Sequence, residues 1–553
     1  MVSDGYNQTS RITLTLPRAL RIRSTLLIGA SLAVAGGLSR LAYVRDTPIN
    51  WDAVQFALAL DRFDLHLHQP HPPGYILYVL MGRALQAAVG DPALSLSLLS
   101  VLFSAISLPV IYRLALDVFD EQGIAVGAAL LLLGSPLALY YGSVGLTYVP
   151  EMTLSMCVAG LAWALRAARK GGAHSRGRKL ALLLGVALGI AGGVRQTSML
   201  VLLPLCVWAL WGGRFDRRAW AGFWVSLVVT CLLWFVPLVA LSGGLVAYLH
   251  ENVLLAQVAT ARTSLASAGI EGLVHNLGFE ALSVVMALAF GAVPLGLWAV
   301  RLIRFGLAPE LRAFLTWWAA PPLLFFALSH LGQYGYVLVV LPPLVLMSAV
   351  AARVLGERLA GWSFTRSGEI WGALICAGLA ALSAGYFALA QGPATASSIT
   401  HHDRHWRAVR SALRDMDPAS TVLVMDMDWQ GPFRIAGYTL PAFCSYAAGD
   451  VESDARDAYG WRYWACDGRS NYSLPHPPPQ PYLPLPPGIH TVVALDDTTA
   501  QKMQDTGEPG PASSRQSGRT LTLEDGSTLY VLTSEGSPIR GLMIQGESIR
   551  VIP

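Results

Sequence analysis

Eleven long apolar runs decide what this chain can fold into. A helix that crosses a bilayer needs roughly 20 predominantly apolar residues. Runs of that kind lie at about 24–43, 93–116, 124–141, 149–168, 180–194, 197–212, 220–241, 276–300, 313–329, 335–352 and 370–390. Charged residues make up 13% of the 553 positions, about half the usual share in a soluble chain. The expectation is an all-α polytopic membrane bundle. The same composition excludes disorder, collagen and a disulfide-stapled miniprotein, and a net charge of +4 gives no reason to expect a nucleic-acid partner.

A twelfth stretch, 74–89, is short and carries Arg83 in its middle. Counting basic residues decides its place. If 74–89 does not span and the N-terminus is cytoplasmic, the cytoplasmic loops hold twenty Lys and Arg and the opposite side six: Arg40, Arg45, Arg62, Arg83, Arg195 and Arg262. If it spans, every later loop changes side and the basic 166–179 loop faces outward. The stretch is therefore read as a helix lying at the outer surface. The basic start and Ala33-Val34-Ala35 resemble a cleavable signal, but the apolar run continues to Val44, which favours an uncleaved anchor.

These assignments divide the chain into a cytoplasmic N-terminus (1–23), a transmembrane domain (24–390) and an extracytoplasmic C-terminal domain (391–553). Two outer loops stand out, 44–92 and 242–275. The tail reads as α/β, with a helix over 403–416 and strands in TVLVMDMD, HTVVALDD, RTLTLEDGSTLYVLTS and RGLMIQGESIRVIP. His476 to Pro487 reads as extended. Cys444 and Cys466 are the two cysteines of this polar region and could bridge in an oxidising compartment. Asn471-Tyr472-Ser473 matches a glycosylation triplet, a pattern common by chance.

The outer side collects the residues with chemistry. Asp52 follows the first span, in Asn50-Trp51-Asp52. A carboxylate beside aromatic surface at the membrane face suits a general base; taken alone, it reads as a solvated loop acid. Glu151 opens the fourth span, where the helix dipole alone favours an acid. Arg195, between two short helices, is a partner for one of those acids, a phosphate clamp or an interfacial snorkel. His330, Gln333 and Tyr336 sit in SHLGQYGYVLVVLPPL, and Arg262 in the second outer loop. His66, His68 and His71 could hold a metal, although Pro70, Pro72 and Pro73 keep them off helical spacing. No P-loop is present, which argues against ATP hydrolysis. No span is expected to carry a charge through its centre, which argues against a proton-coupled pump.

The motifs WDAVQFALAL, HPPGYILYVL, LYYGSVGLTYVPEMTLSMCVAGLAWAL, GGVRQTSMLVLLP and HLGQYGYVLVVLPPL resemble, in order and spacing, the GT-C superfamily of integral-membrane glycosyltransferases, in its protein O-mannosyltransferase and aminoarabinose-transferase branch. The resemblance covers roughly 24–390. It implies a bundle of GT-C type whose first outer loop forms helices on the membrane. It also implies inverting transfer of a sugar from a polyprenyl-phosphate carrier to an acceptor hydroxyl. On that likeness Asp52 is the base, Glu151 the second acid, and Arg195, with Arg262 less well placed, holds the lipid phosphate. Read from the residues themselves, His71, His330, Gln333 and Tyr336 are candidate substrate contacts, the last three alternatively satisfying helix ends. The single Asp52 departs from the Asp-Glu pair of many relatives, which bears on substrate.

The expected partners are a lipid-linked sugar donor, a glycan, lipid or protein acceptor, and membrane lipids, at a bacterial-type plasma membrane. No cofactor is assigned, and a divalent metal stays open. The alternatives are a flippase or transporter of lipid-linked sugars and a non-catalytic envelope protein.

Overall fold

The apolar runs fold as helices whose ends are fixed by caps, prolines and glycines. The computed structural model describes residues 18–211, 216–304, 306–360, 368–427, 432–449, 459–466, 469–472, 477–504, 515–546 and 548–553. Ser473 of the glycosylation triplet and His476 at the start of the Pro-rich stretch lie outside the described residues, as does most of 1–23.

The membrane part comprises α1 (Arg18–Leu41), α2 (Trp51–Asp61), α3 (Ile76–Val89), α4 (Pro92–Phe119), α5 (Gln122–Gly134), α6 (Pro136–Tyr141), α7 (Tyr148–Lys170), α8 (His174–Val194), α9 (Gln196–Leu210), α10 (Arg217–Leu241), α11 (Leu245–Thr260), α12 (Leu265–Leu288), α13 (Ala292–Ala299), α14 (Pro309–Leu328), α15 (Leu341–Ala360) and α16 (Gly368–Leu389). Eight helical segments among the described residues are long and apolar enough to cross a membrane; they fall in α1, α4, α7, α8, α10, α12 with α13, α14 and α16. The chain is thus a multi-pass membrane protein.

The other three expected runs are α5 with α6, α9 and α15. Ser135-Pro136 breaks the run at 124–141: the proline has no N–H to continue the ladder, and the Ser135 hydroxyl accepts from Ala138 N–H and lies 2.6 Å from the Ala287 carbonyl. A 3₁₀ turn, Tyr334–Val339, precedes α15. The glycines of α8 bring it against α10: a Cβ on Gly185 would sit 2.4 Å from the Phe223 carbonyl, and the Trp234 indole donates to the Gly189 carbonyl at 2.9 Å.

α3 has 14 residues, about 21 Å of helix against a hydrocarbon core of roughly 30 Å. Arg83 donates to the carbonyls of Leu60 and Ala59 at 2.8 and 2.9 Å, satisfying the open end of α2.

One expectation is overturned. Glu280 lies well inside α12 with its side chain buried, so a span does carry an acid. It is masked in the sequence by the apolar residues that surround it.

The C-terminal domain begins at α17 (Ala396–Ala412), started by a Thr395 capping box. It then builds β1 (Thr421–Asp426), α18 (Pro432–Thr439), β2 (Cys444–Ala448), β3 (Trp461–Cys466), β4 (Arg469–Asn471), β5 (Tyr482–Pro484), β6 (Thr491–Ala494), α19 (Asp497–Gln504), β7 (Arg515–Thr522), β8 (Thr528–Glu535), β9 (Gly541–Gln545) and β10 (Ser548–Ile552). Seven strands form one sheet in the order β4-β3-β2-β1-β6-β8-β7; β10, β9 and β5 form another. β1 is parallel to β2 and to β6, and the remaining pairs are antiparallel. Cys444 and Cys466 form a disulfide between β2 and β3. The sequence reading finds β1, β6 and β7 to β10 but misses β2 to β5, α18 and α19, all eight residues or fewer.

This domain packs on the first loop. Trp51 and Val54 of α2 join the core of one sheet face with Trp406, Phe433 and Tyr463. The buried Arg434 donates to the Leu67 carbonyl at 2.9 Å, and its guanidinium lies over the rings of Tyr472 and Trp51 at 4.5 and 5.4 Å. Arg45 pairs with Asp403 at 3.2 Å.

His402, on α17, donates from Nε2 to the Pro48 carbonyl at 2.8 Å, and burial holds its imidazole below the ordinary value. As pH falls, the unfolded chain therefore takes up this proton first. The contribution to stability is complete above a pH of roughly 6.5 and is lost as the pH drops below it. His402→Gln keeps the donor and removes the titration. Its thermal unfolding between pH 7.5 and 5.5 is expected to show a shallower loss of stability than the wild type.

Candidate active site

Asn50 begins α2: its side-chain oxygen accepts from Ala53 N–H at 3.0 Å. That cap places Asp52 in the first turn, where the helix dipole favours a carboxylate. The Asn50 amide donates to the Gln333 oxygen at 3.2 Å, and the Gln333 amide donates to Asp52 Oδ2 at 2.7 Å. Gln333 is thereby held in both directions by residues two apart on α2. The other Asp52 oxygen, Oδ1, takes no hydrogen bond from the described residues, and the side chain remains 28% exposed.

On that side lies His71, with Nδ1 3.9 Å from Asp52 Oδ1. Its Nε2 is 3.2 Å from the Tyr75 hydroxyl. With that hydroxyl donating to Nε2, the ring N–H points at Asp52. Burial, with Arg195 adding to it, lowers the His71 imidazole against the opposing pull of Asp52. Tyr75 sits in the left-handed region at φ 42, just before α3. A bulky side chain there costs about 1–3 kcal/mol and is tolerated where surrounding contacts impose it. Its ring packs edge-on to Phe56 at 5.0 Å.

The second group forms around Arg195. This residue ends α8 and caps α9 in an extended conformation, φ −151 and ψ 113, which turns its side chain out of both helices. The guanidinium meets Glu151 Oε2 at 3.2 Å and the hydroxyls of Thr147 and Thr197 at 2.9 and 3.3 Å. It lies over the rings of Tyr148 and Tyr336, 4.8 and 4.5 Å from their centroids. Ser198 donates to Glu151 Oε1 at 2.7 Å. Of the readings open for Arg195, the structure gives partnership with an acid. At 5% exposure it is no snorkel.

His330 joins from the far side. Its Nδ1 is 2.9 Å from the Thr263 hydroxyl, its ring 6.3 Å from Tyr336, and burial lowers its imidazole. Arg262 is exposed on the turn between α11 and α12, and the 242–275 loop contributes through the adjacent Thr263.

The structure thus joins Asp52, His71 and Gln333 in one contact set and Glu151, Arg195 and Tyr336 in another, with His330 beside Tyr336. The sequence reading passed over Tyr75, Tyr148, Thr147 and Ser198 as site residues. Each sits within four residues of one it singled out. The three histidines of the first loop diverge: His66 pairs with Glu251 at 3.0 Å, His68 packs against Tyr472 at 5.0 Å, and His71 joins Asp52. No group of three or more His, Cys, Asp or Glu among the described residues is placed to hold a metal ion.

All of this lies at one end of the bundle. At the opposite end of α7, Arg166 and Lys170 pair with Glu310, and at the start of α8 Arg178 pairs with Asp216.

A family model described as Dolichyl-phosphate-mannose-protein mannosyltransferase matches residues 71–240, a span that contains His71, Glu151 and Arg195. No curated protein matches the sequence. Among solved structures, the chain is similar to ArnT from Cupriavidus metallidurans bound to undecaprenyl phosphate, with a TM-score of 0.53 at 15% identity over 93% of this chain and 98% of that one. It is similar to the apo ArnT of the same organism, with a TM-score of 0.52 at 12% identity over 92% and 98%. At such identities the likeness is one of fold. By fold the chain is of the GT-C type, a helical membrane bundle carrying a C-terminal β-rich domain.

Proposed function

We propose that this GT-C-type membrane protein is an inverting glycosyltransferase that moves a sugar from a polyprenyl-phosphate carrier to an acceptor hydroxyl at the outer face of a plasma membrane. The observation that carries the reading is the Asp52 carboxylate: one oxygen is fixed by Gln333 and the other takes no hydrogen bond from the described residues, with the buried Arg195 of the second contact set near enough that it and Asp52 both act on His71.

The chemistry follows from those groups. A lipid phosphate is already a fair leaving group and needs positive charge more than a proton. Arg195 supplies that charge, and the Glu151 bond holds it in place when no carrier is bound. The acceptor hydroxyl needs a base within hydrogen-bond reach, and Asp52 takes its proton as the new glycosidic bond forms. The anomeric carbon passes through an oxocarbenium-like state, as in glycoside hydrolysis. His71, its imidazole held down by burial, stands beside Asp52 without competing for the proton. No nucleotide enters these steps.

The test is turnover of a panel of radiolabelled polyprenyl-phosphate sugars by the purified protein in lipid. Release or transfer of one sugar is the expected result. Lipid-linked sugar crossing the bilayer without turnover would instead favour a transporter, a reading to which the buried Glu280 of α12 would contribute.

A further inference from the structure

The C-terminal domain carries a second polar constellation, remote in sequence from the one at the membrane. In its larger sheet, β1 lies between β2 and β6 and runs parallel to both. The chain leaving β1 passes through α18, whose Phe433, Ile435 and Ala436 pack on the sheet face shared with α2. The chain leaving β6 passes into α19, whose Ala500 and Met503 pack with Val422, Val492 and Leu532, the core of the other face. Two adjacent parallel strands whose connections depart to opposite faces leave a crevice between their carboxyl ends. In open α/β sheets that switch point is where ligands bind.

The groups at this crevice are polar and partly open. Asp496, just after β6, accepts from the backbone N–H of Asp426 and of Thr499, both at 2.8 Å, and from the Thr499 hydroxyl at 2.9 Å. It is consumed in tying the ends of β1 and β6 together. Asp426, the last residue of β1, accepts from the Tyr459 hydroxyl at 2.9 Å. Lys502, from α19, donates to that same hydroxyl at 2.6 Å, and its ammonium is 3.6 Å from Asp426 Oδ2. The side chains of Asp426 and Lys502 keep 29% and 21% of their exposure. A carboxylate, an ammonium and a phenol hydroxyl thus stand side by side, each in contact with the next.

We propose that this crevice binds a neutral sugar. The side-by-side acceptor and donor match adjacent ring hydroxyls, one donating to Asp426 and its neighbour accepting from Lys502. Asp426 and Asp496 outweigh the single Lys502 ammonium, and the net negative charge disfavours a phosphate or an acidic sugar. This assignment is independent of the transferase reading, since it needs no chemistry at Asp52.

The test presents the intact protein in lipid nanodiscs with maltose, cellobiose, chitobiose and mannobiose, and reads contact by saturation-transfer NMR. Transfer onto at least one disaccharide is expected. Asp426→Asn and Lys502→Gln should each weaken it roughly tenfold, the usual effect of losing a charged hydrogen bond. Asp52→Asn should leave it unchanged. Asp426→Asn preserves shape and an acceptor for Tyr459. A melting curve on the same sample shows whether the variant is folded, and if its transition is lost the Lys502→Gln result decides. The proposal is overturned if none of the four sugars receives saturation, or if contact survives both substitutions. Loss of contact in Asp52→Asn would also overturn it, by placing the sugar at the membrane-side cluster. A protein without turnover but with Asp426-dependent sugar contact would refute the transferase reading alone.

Discussion

Sugar transfer by the Asp52→Asn protein is expected to fall by about 10²- to 10⁴-fold with the protein still folded, the range associated with losing a positioned general base. Folding should survive because asparagine keeps an oxygen for the Gln333 amide and the position is partly open. The loss should appear in the rate at saturating donor, since Asp52 takes no part in holding the lipid phosphate. Gln333→Ala leaves the carboxylate in place but frees it to rotate, so a smaller loss is expected there. The measurement is initial rate against donor concentration for both variants beside wild type. Full activity in Asp52→Asn would remove this residue from the mechanism.

The Glu151–Arg195 pair should show the largest effect on stability. Both side chains are almost fully enclosed, at 1% and 6% exposure. Removing one partner of such a pair typically costs about 3–5 kcal/mol, because the other charge stays buried without compensation. Arg195→Met and Glu151→Gln are each expected to lower the melting temperature sharply. The double variant should recover much of the loss, since no unpaired charge remains. Activity should follow a different pattern. If Arg195 neutralises the carrier phosphate, the double variant is stable and inactive, and Arg195→Lys retains part of the rate. A double variant as active as wild type would reduce Arg195 to a structural counterion. A full double-mutant cycle in stability and in turnover separates the two roles.

The parts legible in the sequence are those with a long period or a large excess of charge. Runs of about twenty apolar residues announce themselves by length, and Asp52, Glu151 and Arg195 stand out as charges at the ends of such runs. Their pairing was not legible. Arg195 could have met either acid, and only the antiparallel packing of α7 and α8 brings it to Glu151. Gln333 lies 281 positions from Asp52, and no local pattern records that contact. Tyr75 and Tyr148 were hidden by context, because aromatics at helix ends are common at membrane interfaces. In the tail, β2 and β3 are five and six residues long, too short for alternation to separate them from a turn. Glu280 was lost for the opposite reason: a single acid hardly lowers the hydropathy of a long apolar run.

α2 belongs to two cores at once. Ala53, Phe56, Ala57 and Leu60 pack into the membrane bundle, while Trp51 and Val54 pack into the sheet of the C-terminal domain. The residue between Trp51 and Ala53 is Asp52. The natural seam for exchanging tails among related proteins is therefore not the point near residue 390 where the apolar runs stop. A chimera joined there would seat a foreign sheet on a native Trp51 and tilt the helix that aims the carboxylate. A working exchange has to carry the first loop along with the tail, as one inherited piece broken in two by the bundle it crosses.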